Sequence, residues 1–98
     1  LSSLSPPTVL TGGHPNKVAL DPTGQYAYVV NGNDHTLSQY VISAGGGLVA
    51  MSPPTVSTGT HPSAIAIDPS GTYVYVTNYS SNTVSQYSIG AGGALTPL

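Results

Sequence analysis

Short runs of apolar and β-branched residues follow one another along this chain, and clusters of turn-forming residues separate them. Residues 64–67 (AIAI) end at residues 68–71 (DPSG), whose Asp, Pro and Gly positions are typical of a type I turn. Residues 73–77 (YVYVT) are all β-branched or aromatic, which favours a strand. Residues 83–89 (TVSQYSI) predict a third strand after a polar turn. No segment has the 3.6-residue period of a helix, so the pattern predicts an all-β fold.

A fourth strand is predicted from residue 48 to about residue 58, and it contains Pro53 and Pro54. Proline cannot donate a backbone hydrogen bond to a ladder, so we place this strand at the edge of its sheet. The second strand of each unit is apolar on both faces, which predicts a sheet packed between two neighbouring sheets.

An internal repeat of 47 residues organises the whole chain. Residues 5–9 and 52–56 both read SPPTV, and 26 of the 47 aligned pairs are identical without a gap. A four-stranded antiparallel unit that recurs every 40 to 50 residues or so is the signature of a β-propeller blade. The sequence therefore predicts two four-stranded antiparallel blades of a β-propeller.

Four motifs make this prediction specific: a His-Pro pair before the first strand, an Asp-Pro-x-Gly turn, Tyr-Val-Thr-Asn at residues 75–78 and Thr-Val-Ser-Gln-Tyr at residues 83–87. With them the chain resembles the YVTN β-propeller repeat, which occurs in microbial surface-layer proteins and in seven-bladed lactonase-like propellers. Full members of that group carry about seven blades, whereas this chain has two. The enzyme branch of the resemblance implies lactonase activity.

Two blades cannot close a propeller, so we expect the ring to be completed by oligomerisation. We predict that residues 1–11 form an outer strand that is exchanged into a neighbouring chain's blade, that residues 12–58 form the first blade, and that residues 59–98 form the second. This head-to-tail contact makes the partner the chain itself. A tetramer is favoured over a trimer, because eight blades spaced about 45° apart come closer than six blades at about 60° to the seven-bladed spacing of about 51°.

The charge content is very low, since 4 % of the residues are charged against about 25 % in a typical domain. Lys17 is the only basic residue, so a nucleic-acid partner is not expected. No apolar run is long enough for a membrane span. Cysteine is absent, and no cofactor is predicted. The composition is typical of a secreted or cell-surface parent protein. The chain starts at Leu rather than Met, so we expect a processed, excised or designed chain.

The candidate functional residues are His14 and His61, which precede the first strand of each blade and would circle one mouth of the channel. They are either ligand-binding residues or loop residues whose rings hold the local backbone. No metal site is predicted, because one histidine per blade lies too far from the next to share an ion. Asp21 and Asp68 are predicted to cap turns.

No catalytic residue is predicted, because the chain has no Glu, no Arg and no Ser in a nucleophile motif. We therefore expect a self-assembling propeller fragment with a structural role and no enzymatic activity. The alternative is a module that binds a small ligand or a carbohydrate on the assembled face. A lactonase-like hydrolase is the least favoured function.

Overall fold

The computed structural model describes residues 8–98, which form two four-stranded antiparallel sheets. The strands follow one another in chain order within each sheet. The first sheet contains β1 (Pro15–Leu20), β2 (Tyr26–Asn31), β3 (Thr36–Ile42) and β4 (Leu48–Ser57). The second sheet contains β5 (Pro62–Ile67), β6 (Tyr73–Asn78), β7 (Thr83–Ile89) and β8 (Leu95–Pro97). The predicted all-β fold with two four-stranded antiparallel sheets is confirmed.

The Asp-Pro-x-Gly segments form the tight turns between the first and second strands. In the first sheet the Gly24 N–H donates to the Asp21 carbonyl at 3.0 Å, and Gly24 has a φ of 74°. Only glycine adopts such a backbone conformation without steric cost, which explains its place in the motif. The second sheet repeats the turn with Asp68 and Gly71.

β4 lies at the outer edge of the first sheet, as its two prolines predict. It pairs with β3 at both ends, and its register shifts between Ser38 and Tyr40. The side chain of Gln39 bridges this irregularity by donating to the Pro53 carbonyl at 2.9 Å. At the edge of the sheet no further strand needs hydrogen bonds from the backbone nitrogens of the prolines, so the strand tolerates them.

The main hydrophobic core lies between the two sheets. Tyr28, Val30 and Leu37 of the first sheet pack there against residues of the second sheet, namely Val74, Val76, Tyr87 and Leu95. Hydrogen bonds also join the sheets across this core. The Tyr28 hydroxyl donates to the Gly93 carbonyl at 2.6 Å, and the Leu95 N–H donates to Gln39 Oε1 at 3.0 Å. The two sheets are therefore stacked through a specific interface.

The predicted strand at residues 1–11 falls partly outside the described residues. Residues 8–11 are described and form no strand within the single chain. The Tyr40 hydroxyl donates to the Leu10 carbonyl, as the Tyr87 hydroxyl donates to the Ser57 carbonyl one repeat later. The exchange of residues 1–11 between chains stays a prediction.

Candidate functional site

The antiparallel strand order brings two kinds of connection to one edge of the molecule. These are the connections that lead into the first strand of each sheet, and those between the second and third strands. We call this edge the loop face. It consists of residues 12–14, 32–35, 58–61 and 79–82. It therefore carries all three histidines of the chain, His14, His35 and His61, and the exposed Tyr79.

His14 and His61 have left-handed backbone conformations, with φ of 56° and 58°. This conformation turns their carbonyls toward the neighbouring connection. The His14 carbonyl accepts from the Gly32 N–H at 3.0 Å, and the His61 carbonyl accepts from the Tyr79 N–H at 2.9 Å. The backbone of both residues thus holds the loop face together, while both side chains are exposed.

His35 is a functional candidate that sequence reasoning missed. Its ring Nδ1 accepts a hydrogen bond from the His61 N–H at 2.8 Å, and its carbonyl accepts from the Thr58 N–H at 2.9 Å. His35 therefore clamps both ends of the connection between the two sheets. The ring centroids of His35 and His61 lie 6.4 Å apart with a tilt of 54°.

Tyr79 completes this group. Its ring centroid lies 6.4 Å from that of His61 in an edge-on arrangement of 61°, and 76 % of the residue is exposed. We call His35, His61 and Tyr79 the histidine cluster. The sequence contained one signal for this cluster, which is a departure from the repeat. The counterparts of His35 and Tyr79 are Asn82 and Gly32. The two junctions of the repeat thus differ in chemistry.

The structure does not bring His14 and His61 together. Each belongs to its own connection, and the ring near His61 is that of His35. The assignment of His14 and His61 as ligand-binding residues at a channel mouth stays a prediction.

Few side chains at the loop face could bind a metal ion. Among residues 8–98 there is no group of three or more His, Cys, Asp or Glu side chains that could hold a metal ion. Asp34 is exposed there, and its carboxylate accepts from the Gly13 N–H at 2.6 Å. Within the described part of the chain, no helix is long and apolar enough to cross a membrane.

Asp21 and Asp68 lie at the opposite edge and cap turns, as predicted. Asp21 Oδ1 accepts from the Gln25 and Tyr26 N–H groups at 2.8 and 2.9 Å, and Oδ2 accepts from the Thr23 hydroxyl. Burial alone raises the pKa of Asp21, but these hydrogen bonds together outweigh it and lower the pKa below the usual value. A hydrogen bond from Ser70 and backbone N–H groups lower the pKa of Asp68 in the same way.

Several solved structures share this arrangement of strands. A protein from Bacteroides uniformis with the provisional description 6-phosphogluconolactonase matches with a TM-score of 0.80 and 18 % identity over 91 % of this chain and 27 % of its own. A protein from Bacteroides fragilis with the same description matches with a TM-score of 0.77 and 24 % identity, over 85 % of this chain and 24 % of its own. These two likenesses concern the fold.

The periplasmic gluconolactonase PpgL of Pseudomonas aeruginosa matches with a TM-score of 0.78 and 26 % identity, over 88 % of this chain and 25 % of its own. The chain thus spans about a quarter of the length of these solved structures. No curated protein matches the chain.

The model of the family described as "Lactonase, 7-bladed beta-propeller" matches residues 2–98. The prediction that the chain has no enzymatic role is therefore wrong, because both this family and PpgL are named for lactonase activity. The residue types of this chain alone do not decide whether the family catalyses a reaction, because the chain matches only about a quarter of the length of the related proteins. The chain belongs to the lactonase family of seven-bladed β-propellers.

Proposed function

We propose that the chain acts as a two-blade building unit of a lactonase-type propeller, in which further copies of the chain cover its two outer faces. The observation that carries this proposal is an asymmetry between equivalent positions of the repeat. Tyr28 and Leu37 of the first sheet have an exposed fraction of 0 %, because the second sheet packs on them. Their counterparts Tyr75 and Val84 in the second sheet are 37 % and 54 % exposed.

The opposite outer face has the complementary exposure. Ile65 and Ile67 of β5 pack against the core between the sheets, whereas their counterparts Val18 and Leu20 of β1 are 64 % and 58 % exposed. The uncovered face of the second sheet thus carries the counterparts of the residues that the first sheet buries in the core. The uncovered face of the first sheet likewise carries the counterparts of residues that the second sheet packs against the core. Uncovered apolar faces of this kind favour association, and a head-to-tail contact repeats the interface already present within one chain.

An open strand edge lies beside the exposed face. β3 pairs with β4 at both of its ends, whereas β7 pairs with β8 only at Tyr87, Ser88 and Ile89. A groove follows the free half of β7, lined by residues 57–59 on one side and by residues 84–87 on the other. An unpaired edge in a groove accepts an added strand through main-chain hydrogen bonds.

The repeat identifies the strand that fits this groove. In the first sheet, Thr55, Val56 and Ser57 pair with residues 36–38 of β3. Residues 8–10 of the chain are their counterparts and read Thr-Val-Leu. We propose that residues 8–10 of a second copy pair with residues 83–85, as the fourth strand of the second sheet.

A buried polar atom of the first sheet also supports the proposal that a further blade packs beside that sheet. In the second sheet, Asn78 Oδ1 accepts from the Gly59 N–H at 3.0 Å. Its counterpart Asn31 Oδ1 is buried and has no hydrogen-bond partner among residues 8–98. Since Gly12 is the counterpart of Gly59, we expect a preceding blade to seat Gly12 so that its N–H reaches Asn31.

Two blades per copy give rings with an even number of blades. The proposed ring has eight blades from four copies, with a six-bladed ring from three copies as the alternative. Further blades of a longer chain would cover the same faces, and the experiment below separates this occupant from a second copy.

The test is the mass of the chain in solution, measured by native mass spectrometry and light scattering over a range of concentrations. We expect a closed species of four times, or alternatively three times, the 9.9 kDa mass of one chain. Val84→Lys should abolish this species, because it places a charge in an apolar interface. It should leave the folded single chain within about 0.5 kcal/mol, because Val84 is exposed there.

The matched control is Val49→Lys. The exposed fraction of Val49 is 57 %, similar to that of Val84. Val49 stays exposed even though the second sheet packs against the core residues of the first sheet. It therefore lies outside the contact area, and the variant should assemble like the wild type. A folded wild-type chain that stays a single copy at every concentration would refute the second copy as occupant and leave the blades of a longer chain in its place.

A second candidate function is hydrolysis of a lactone on the loop face. The family match and the histidine cluster favour it. Its test is the rate of lactone opening above the uncatalysed rate. Binding of a sugar acid without turnover would instead support the small-ligand or carbohydrate module.

A further inference from the structure

We propose that Gln86 is the residue through which one copy of the chain recognises the next, by hydrogen bonds from its amide group to the backbone of that copy. This inference rests on the assembly proposed above and assigns one of its contacts. Its basis is the counterpart Gln39, which joins the two sheets within a single chain.

The amide group of Gln39 bridges two strands that belong to different sheets. Its Nε2 group donates to the Pro53 carbonyl of β4 at 2.9 Å, and its Oε1 atom accepts from the Leu95 N–H of β8 at 3.0 Å. These partners fix the orientation of the amide, because a backbone carbonyl only accepts and a backbone N–H only donates. The residue is 1 % exposed, so a neighbouring sheet that did not supply its N–H group would leave a buried oxygen unpaired.

Gln86 has the same place in the second sheet. It lies directly opposite Tyr75 of β6, as Gln39 lies opposite Tyr28 of β2. Residues that lie opposite each other on antiparallel strands share a face of the sheet. Gln86 is therefore on the uncovered face, and it is exposed there, whereas Gln39 is buried.

The fourth strand of the second sheet ends at Gln86. β8 pairs with residues 87–89 of β7, and the Leu98 N–H donates to the Gln86 carbonyl at 3.0 Å. Residues 83–85 are the part of β7 that the strand of the next copy is proposed to cover. Gln86 thus lies between the strand that its own chain provides and the strand that the next copy provides.

The repeat identifies both hydrogen-bond partners in the next copy. The counterpart of Leu95 is Leu48, at the start of β4. The counterpart of Pro53 is Pro6, which precedes the proposed inserted residues 8–10 and lies outside the described residues. Both partners belong to the same copy, because the strand that completes the second sheet leads into the first sheet of that copy.

The turn before β4 has the geometry that this contact needs. The Ser43 N–H donates to the Gly47 carbonyl at 2.8 Å, and in the second repeat the Gly90 N–H donates to the Ala94 carbonyl at 2.9 Å. The two turns therefore close in the same way. We expect the N–H of the following residue, Leu48, to point toward a neighbouring sheet, as its counterpart does within the chain.

This contact makes association selective. A copy that covers the outer face of the second sheet also buries the Gln86 amide, as Gln39 is buried within the chain. A buried amide is costly unless both of its groups have partners. A neighbour that is shifted along the strand or packed in the opposite order does not supply them. The partner that fits is a second copy in the same head-to-tail order and register.

The test compares the assembly of Gln86→Leu with that of the wild type, by native mass spectrometry and light scattering over a range of concentrations. The change removes both hydrogen-bonding groups and leaves the Leu48 N–H of the next copy unpaired. It should raise the concentration at which half of the chains are assembled by about tenfold or more, because the loss recurs at every contact of a ring. The folded single chain should be unaffected, since Gln86 is exposed there.

Gln86→Glu gives a readout that a space-filling role would not change. An ionised carboxylate accepts from an N–H but cannot donate to a carbonyl, whereas a protonated carboxyl group does both, like an amide. Assembly of this variant should be weak at pH 8 and should recover at pH 5, because burial favours the protonated form. The wild type at both pH values accounts for the three histidines of the chain, and Gln86→Leu should stay weak at both.

The matched control is Gln25→Glu, which makes the same change at another exposed glutamine. Gln25 stays exposed although the second sheet packs beside its own sheet, and its counterpart Thr72 stays exposed although the first sheet packs beside it. The position therefore lies outside the contact on either side. The variant should assemble like the wild type at both pH values, and a loss equal to that of Gln86→Glu would count against a specific contact.

A second readout does not depend on assembly. In a chain held single by Val84→Lys, Gln39→Leu should lower the urea concentration at the unfolding midpoint, whereas Gln86→Leu should leave it unchanged. Equal midpoints, or assembly of Gln86→Leu at wild-type concentrations, would overturn the role of Gln86 and leave the ring in place. A wild-type chain that stays single at every concentration would instead refute the assembly itself, and this role with it.

Discussion

The hydrogen bond from Tyr28 to Gly93 offers a direct measure of the interface between the two sheets. Tyr28 has an exposed fraction of 0 %, and its hydroxyl donates to the Gly93 carbonyl at 2.6 Å. Burial raises the pKa of Tyr28, so the hydroxyl keeps its proton and remains a donor at neutral pH. Tyr28→Phe removes this one atom and leaves the ring in place.

The magnitude follows from the burial of both partners. A net hydrogen bond contributes about 0.5–1.5 kcal/mol, and a buried acceptor left unpaired costs about 1–3 kcal/mol. Gly93 is buried beneath the first sheet, and a Cβ at this position would collide with the Tyr26 ring, so water has little room to replace the hydroxyl. We therefore expect Tyr28→Phe to lower the free energy of unfolding by about 1–3 kcal/mol. For a domain of this size, each kcal/mol lowers Tm by about 4–8 °C.

The repeat supplies the comparison. Tyr75 is the counterpart of Tyr28 but is 37 % exposed. In a chain held single by Val84→Lys, Tyr75→Phe should change the unfolding free energy by less than about 0.5 kcal/mol. In the assembled ring, the Tyr75 hydroxyl should meet the carbonyl of Gly46 of the next copy, since Gly46 is the counterpart of Gly93. Tyr75→Phe should then weaken association by about tenfold for each 1.4 kcal/mol lost.

The assay is urea denaturation of each variant in the Val84→Lys background, followed by native mass spectrometry of Tyr75→Phe without that change. Equal losses of unfolding free energy for Tyr28→Phe and Tyr75→Phe in the single chain would refute this prediction. Equal costs there would mean that the hydroxyl of Tyr28 contributes nothing through the neighbouring sheet. The slope of free energy against urea should stay constant, so that only stability is compared.

Two further predictions concern the turn residue Asp21 and the equivalent asparagines Asn78 and Asn31. Burial raises the pKa of Asp21, but its hydrogen bonds outweigh this effect and hold the pKa below the usual value of 3.8. The contribution of Asp21 to stability is therefore present above that value and is lost as the pH falls through the lowered pKa. Denaturation from pH 6 to pH 2 should show this loss, with a shallower slope in Asp21→Asn; an unchanged slope would contradict it. In the Val84→Lys chain, Asn78→Ala should cost about 1–3 kcal/mol, because it removes the hydrogen bonds of the Asn78 side chain with the Gly59 N–H and with the hydroxyls of Thr83 and Ser85. Asn31→Ala should cost less there, as measured by thermal unfolding, and an equal loss would count against the missing neighbour.

Much of the fold could be predicted because it depends on local chemistry. The Asp-Pro-x-Gly turns, the β-branched strands and the prolines of β4 each constrain the backbone within a few residues, and the structure agrees with all of them. The 47-residue repeat then determined that two similar sheets follow one another. The prediction about enzymatic activity was wrong, because the absence of Glu and Arg in this chain says little about a family whose solved relatives it matches over only about a quarter of their length.

The candidate site required the tertiary structure. Tyr79 and His61 are 18 positions apart and His35 is 26 positions from His61, so no local spacing connects the three. Only the stacking of the second sheet on the first brings the connection before β5 against the one between β2 and β3. Stacking also decides which of two equal tyrosines is buried, since Tyr28 and Tyr75 occupy the same position of the repeat.

The sequence by itself thus determined the strands, the turns and the repeat of this protein, because short-range backbone preferences and side-chain alternation act within each segment. The tertiary structure alone decided the contact between His35 and His61 and the faces that are left uncovered. These depend on contacts between residues distant in the chain, which exist only after apolar burial has stacked the sheets.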